Sequence, residues 1–145
     1  MSIWVVRPSL DEINELSSDN MLGHLGIRFI GVTDDSIQAS MPVDSRTKQP
    51  YGILHGGASV VLAETLASVA ANYTIDRSKN YSVGLDVNAN HIRSVRSGIV
   101  VGTATAIHIG RSTQVWEVRI LAGERLASIH RITMAILSRE VNEDG

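Results

Sequence analysis

The chain has 145 residues, the size of one domain, which leaves no room for a separate cofactor module beside a substrate domain. It contains no cysteine, which excludes disulfides, thiolate zinc sites, iron–sulfur ligation and a cysteine nucleophile. Its 13 basic and 15 acidic residues give a net charge of −2, without the broad positive field that a nucleic-acid or anionic-membrane binder needs.

The opening MSIWVVRPSL has no basic start, and no stretch approaches the roughly 18 apolar residues of a membrane span, so a soluble, cytoplasmic protein is expected. Ser9-Leu10-Asp11-Glu12 carries a capping-box signature and predicts a short helix from about Leu10 toward Ser17, within 9–18. Ile27 to Thr33 and Ile37 to Val43, joined at Asp34-Asp35, read as a hairpin. Pro42 predicts that its second strand ends at a sheet edge. After a turn through Gln49-Pro50-Tyr51-Gly52, the segment from Leu54 to Thr74 holds the one long helical pattern, a central helix over about 55–74. It is apolar nearly all the way round, as in a helix buried in a core, except for a polar stripe of Glu64, Ser68 and Asn72 at i, i+4 and i+8.

Four extended segments follow, roughly Ser82 to Ile92, Ile99 to Ile109, Gln114 to Leu121 and Leu126 to Leu137. The order ββ–α–ββββ predicts an α+β fold, with an antiparallel sheet of about six strands curled round one long helix rather than βαβ crossovers. The acidic tail, about 139–145, is expected to fray.

His55-Gly56-Gly57 opens the central helix. The first N–H groups of a helix lack intrahelical partners and carry partial positive charge, and glycine lets a ligand oxygen come close, so this start can serve as an oxyanion hole. Glu64 lies about 12 Å along the axis from Gly56 at a rise of ~1.5 Å per residue, too far to share one reacting carbon within a chain. Two such helices packed antiparallel across a two-fold axis would bring the Glu64 of one copy to the helix start of the other. A carboxylate on an otherwise apolar helix is costly unless paired, protonated or functional. Spacing alone leaves hydrolysis and hydration both open.

His24, His91, His108 and His130 show neither HxxxH nor HExxH spacing, so no metal is expected. GxxxxGK[ST], GxGxxG and GxSxG are absent, which removes nucleotide hydrolysis, dinucleotide binding and the serine-hydrolase elbow. Asn90 to Ser94 and His108 to Ser112 are polar, partly basic clusters at the ends of strands read as adjacent. Taken by themselves they are solvated strand ends before they are phosphate sites.

The segments MPVDSRTKQPYGILHGGASVVLAETLAS, VGLDVNANHIRS and IHIGRSTQVWEV together resemble the bacterial hotdog-fold acyl-CoA thioesterases, over roughly Leu22 to Leu137. Within them the chain is most similar to the branch containing the 1,4-dihydroxy-2-naphthoyl-CoA hydrolase of menaquinone synthesis and the proofreading thioesterase of enterobactin synthesis. The resemblance implies a sheet wrapped round the central helix, a dimer with shared active sites, and a dimer of dimers. It implies that Glu64 is the catalytic carboxylate, as nucleophile or general base. Gly56 would supply the oxyanion donor, Gln49 and His55 would position the acyl group, and Ser68 would place water or the acyl ring. It assigns coenzyme A to Gly84, to His91, Ile92, Arg93 and Ser94, and to His108, Ile109, Gly110, Arg111, Ser112 and Thr113. Coenzyme A is then part of the substrate, and no cofactor is called for. Tyr51, where Phe is common, and Arg111-Ser112-Thr113 depart from the pattern and bear on substrate selection. The rivals are a hotdog hydratase or dehydratase, which also uses a His with a carboxylate, and a non-catalytic acyl-CoA-binding protein, which should lack the helix carboxylate.

Overall fold

The computed structural model describes residues 1–140, so the last five residues of the acidic tail lie outside it. Within the described part of the tail, Arg139 is tied down, its Nε donating to the Arg77 carbonyl at 2.8 Å.

The elements are α1 (Leu10–Leu16), α2 (Met21–His24), β1 (Arg28–Val32), β2 (Ser36–Pro42), α3 (Gly56–Tyr73), β3 (Asn80–His91), β4 (Ile99–Ile109), β5 (Thr113–Ala122) and β6 (Arg125–Ser138). The six strands form one antiparallel sheet in the order β1-β2-β4-β5-β6-β3. α3 packs against β2 to β6. Its buried side, Leu62, Ala63, Leu66, Ala67, Ala70 and Ala71, meets the inward residues Val100, Ala104, Trp116, Val118, Ile120, Ile132 and Met134 in one core. Small residues on this side let the helix lie close to the strands, so that non-directional apolar burial holds a sheet curled round it.

Ser9 caps α1 by accepting from the Glu12 N–H at 3.3 Å. α2, a single turn capped by Asn20, has no counterpart among the sequence expectations, because four residues carry too little periodicity to register. Pro42 departs from its expected place. β2 is an interior strand, lying between β1 and β4. The β1 ladder stops at Arg28↔Ser40 while Pro42 still faces Ile99 of β4, so a missing N–H there breaks no bond to β1. α3 is also not buried all round: Val61, Glu64, Thr65, Ser68 and Val69 are half-buried along one side.

The two edges of the sheet are treated differently. Along β1, the Asn14 side chain of α1 both accepts from the Phe29 N–H at 2.8 Å and donates to the Phe29 carbonyl at 2.9 Å, as a neighbouring strand would. Among the described residues β3 pairs only with β6, and its other side carries no partner strand. A register shift between Gly84 and Asp86 sets Leu85 outside the ladder, and Leu85 is 62% exposed.

Candidate active site

The start of α3 is shaped by the loop before it. The Gln49 N–H donates to the Ile53 carbonyl at 2.9 Å, the His55 N–H to the Thr47 carbonyl at 2.8 Å and the Leu54 N–H to the Val95 carbonyl at 2.7 Å, which fixes the direction in which the helix begins. The Gln49 side-chain carbonyl accepts from the Tyr51 N–H, and Gly52 completes the turn at φ +79°.

His55 is the N-cap. Its Nδ1 accepts from the Gly57 N–H at 2.8 Å, and its carbonyl accepts from Ala58 and Ser59. That leaves the N–H of Gly56 as the first-turn donor without an acceptor among the described residues, at the positive end of an 18-residue helix. Gly56 borders a cavity of about 310 Å³ together with Gln49, Ser59, His91, Ile92, Arg93, Ser94 and Ser128. A Cβ on Gly56 would stand 2.9 Å from His91 Nε2, so the absence of a side chain admits the imidazole.

The predicted residues do not all meet in one place. Gln49, Gly56 and His91 to Ser94 share the cavity just described. His55 lines a second one, of about 360 Å³, with Met21, Leu25, Arg46 and Lys48. Glu64 and Ser68 line a third, of about 370 Å³, with Met21, Leu22, Val61 and Val69. Asn72, the last member of the polar stripe, is structural. It donates to the Ser68 carbonyl at 2.9 Å and accepts from the Ser82 N–H at 3.1 Å, joining α3 to β3.

Gly84, expected beside coenzyme A with His91, lies farther back along β3, opposite Met134, and the Glu64 carboxylate rests on it: a Cβ at residue 84 would overlap Glu64 Oε1. The two strand-end clusters are also not neighbours. β3 and β4 are separated by β5 and β6. His91 is opposite Ser128, and Thr113 is opposite Ala135, so the clusters sit at opposite ends of β6, about 23 Å apart at ~3.3 Å per residue. Arg93 Nη1 donates to the Leu126 carbonyl at 3.0 Å, which uses part of its guanidinium and leaves other donors exposed.

Sequence reasoning passes over three residues around the helix start. Ser59, Ser128 and His130 are 2%, 1% and 1% exposed. His130 Nε2 and Ser128 Oγ are 2.8 Å apart, and the His130 ring meets that of His91 edge-on, with centroids 6.0 Å apart and planes at 80°. Burial, with a smaller effect of the nearby His91, pushes the His130 imidazole down to about 4. A signal for it exists: positions 128, 130, 132 and 134 alternate on one face, and Ile132 and Met134 mark that face as inward. Among the described residues no group of three or more His, Asp or Glu side chains converges as a metal site would require.

Residues 51–128 match the thioesterase superfamily. The chain belongs to this family. The thioesterase is similar to 1,4-dihydroxy-2-naphthoyl-CoA hydrolase of Escherichia coli, with 48% identity over 136 residues, 93% of this chain and 99% of that protein. Among solved structures it is similar to a variant of thioesterase PA1618 of Pseudomonas aeruginosa, at a TM-score of 0.94 and 49% identity, covering 95% of this chain and 100% of that one. Thioesterase HI1161 of Haemophilus influenzae matches at a TM-score of 0.92 and 42% identity, covering 97% and 99%. The sheet wrapped round α3 is thus the hotdog fold, and the thioesterase is a thioester hydrolase. None of its helices is long and apolar enough to cross a membrane, among the described residues.

Proposed function

We propose that this thioesterase hydrolyses an aromatic acyl-CoA in a site shared by two copies of the chain, with 1,4-dihydroxy-2-naphthoyl-CoA the leading candidate. The observation that carries the reading is the separation of Gly56, whose N–H is free in one cavity, from Glu64, which sits in another beneath the bare edge of β3. Antiparallel pairing of two β3 edges would continue the sheet and lay the α3 helices side by side in opposite directions. The Glu64 of one copy would then face the helix start of the other. The same pairing would bring the 91–94 end of one copy to the same end of the continued sheet as the 108–113 turn of the other, with β6 between them, within the span of a ligand as long as coenzyme A.

In this site the thioester carbonyl accepts from the Gly56 N–H, which stabilises the oxyanion as the carbonyl carbon becomes tetrahedral. The Glu64 carboxylate either attacks that carbon, giving a mixed anhydride that water then cleaves, or takes a proton from the attacking water; in both cases the C–S bond breaks and the coenzyme A thiolate departs without needing a strong general acid. Gln49 and His55 orient the acyl group, and Ser68 places water or the acyl ring. His91, Arg93 and Ser94, with His108 to Thr113 of the other copy, hold coenzyme A. The name of the E. coli relative supports an aromatic acyl group, and that substrate would put the reaction in menaquinone synthesis. Two such dimers would form the tetramer the resemblance implies.

The test is free-thiol release from a panel of naphthoyl-type, benzoyl-type and straight-chain acyl-CoA, with Glu64→Ala as control. Release that is fastest for the aromatic members and lost in Glu64→Ala is the expected result. Release unaffected by Glu64→Ala removes the carboxylate from the mechanism, and preference for straight chains overturns the substrate class.

A further inference from the structure

The inward face of β6 carries a polar pair where the strand otherwise supplies core. Ser128 and His130 precede Ile132 and Met134 on the same face, and all four side chains are buried. His130 Nε2 is partnered by Ser128 Oγ at 2.8 Å, while its Nδ1 is buried with no hydrogen-bond partner among the described residues. An unpaired polar atom in the interior lowers stability, and a leucine at this position would avoid the loss. The imidazole therefore needs an explanation beyond filling space.

What lies next to it supplies one. His91, at the end of β3, is exposed. Inward, its ring meets His130 edge-on at 6.0 Å between centroids, and its Nε2 stands 2.9 Å from the point where a Cβ of Gly56 would be. Ser128 stands opposite His91 and lines the same cavity as Gly56, and His130, bonded to Ser128, lies behind the two of them. A rotated His91 would cover that N–H, and a withdrawn one would open it to water. The His130 ring is the neighbour that His91 meets on its inner side. Edge-to-face contact between two imidazoles is directional, because the positive edge of one ring prefers the face of the other. A leucine of similar bulk would supply no such preference.

We propose that His130 is a positioning residue for thioester hydrolysis: bonded to Ser128, it holds the His91 imidazole beside Gly56 and so keeps the helix-start N–H open to the thioester carbonyl. The proposal rests on the reading of Gly56 as the oxyanion donor, but His130 itself touches no reacting atom.

The experiment compares the wild-type protein with His130→Leu, His130→Gln and Ser128→Ala in two measurements. One is thiol release from 1,4-dihydroxy-2-naphthoyl-CoA and benzoyl-CoA; the other is the 15N and 13C NMR titration of His91, which needs no turnover. His130→Leu is expected to melt at or above the wild-type temperature, to lose about tenfold or more in kcat with KM within about threefold, and to shift the His91 resonances and midpoint. His130→Gln, which keeps a side-chain donor toward Ser128 but has no ring to meet His91, should lose kcat as His130→Leu does. A folded His130→Leu with wild-type kcat and unmoved His91 resonances overturns the proposal. If His130→Leu does not fold, the Ser128→Ala titration decides in its place: unchanged His91 signals overturn the proposal and shifted ones support it. Should the wild-type protein release no thiol from either substrate, the substrate reading fails separately, and the His91 titration still decides whether His130 positions that ring.

Discussion

The Glu64 carboxylate and Gly84 share one volume: Oε1 stands where a Cβ on residue 84 would be. Gly84 has no positive φ, so alanine is allowed there by the backbone, and the three atoms nearest its Cβ would all belong to Glu64. Gly84→Ala should therefore fold normally and push Glu64 off the strand. We expect kcat to fall about tenfold or more with KM little changed, since a displacement of about 1 Å is enough to misalign a reacting group. Thiol release alongside circular dichroism checks this, and wild-type kcat would mean that the glycine does not set the carboxylate's place.

Gly56→Ala separates stability from activity. Alanine is at least as good a helix former as glycine, so the melting temperature should hold or rise. The new Cβ would press on His91 Nε2 from 2.9 Å, displacing the ring beside the free N–H. A fall in kcat of about tenfold or more, in a protein as stable as the wild type, is the expected signature. Equal loss of stability and activity would instead point to a damaged helix start.

Leu85 offers a test of the shared site that leaves both halves of it intact. The residue is 62% exposed and lies outside the ladder on the bare edge of β3. Leu85→Asp places a charge where two copies would pair, a device that sheet edges use against association. Light scattering should report a monomer, and thiol release should vanish although Glu64 and Gly56 are both present. An active monomer would show that one chain suffices.

His130 should contribute to the loss of stability between pH 6.5 and 4. Burial holds its imidazole at about 4 against an ordinary 6.5, so between those values the unfolded chain binds a proton that the folded one refuses. The folded state is favoured fully above pH 6.5, loses ground as pH falls toward 4, and loses no more below it; the whole span is on the order of 3 kcal/mol. Urea midpoints at pH 7.5, 5.5 and 4.5 should fall in the wild type and stay flatter in His130→Gln. Parallel slopes in the two proteins would assign the acid sensitivity elsewhere.

The strands and the central helix are legible in the sequence because each is long and bounded by turn residues. Alternation over β3 to β6 and an apolar run ended by Thr74 leave few other readings. Strand order is not legible, since pairing of β3 with β6 is a long-range choice that no local pattern records. That single omission makes the clusters at 91–94 and 108–113 look adjacent, when the sheet puts them at opposite ends. The stripe of Glu64, Ser68 and Asn72 is visible as a stripe, yet only coordinates tell the half-buried carboxylate in a cavity from the amide that ties α3 to β3. His130 escapes for a different reason. Its spacing to the other histidines speaks only to metal binding, whereas its parity with Ile132 and Met134 is what marks it as a core-facing polar residue.

The cap of α3 also limits which reactions this scaffold can run. A backbone N–H can only donate, so the bond from Gly57 fixes His55 Nδ1 as the acceptor and leaves the ring proton on Nε2. Toward anything outside the helix, the imidazole then has a hydrogen to give and no lone pair to receive one. Such a ring can grip an acyl oxygen, but it cannot strip a proton from carbon or activate water, as a hydratase or dehydratase would ask of it. Under the proposed mechanism the work on the reacting carbon or on water is left to the carboxylate two turns along, and the helix start would act as a filter on chemistry as well as a place to bind.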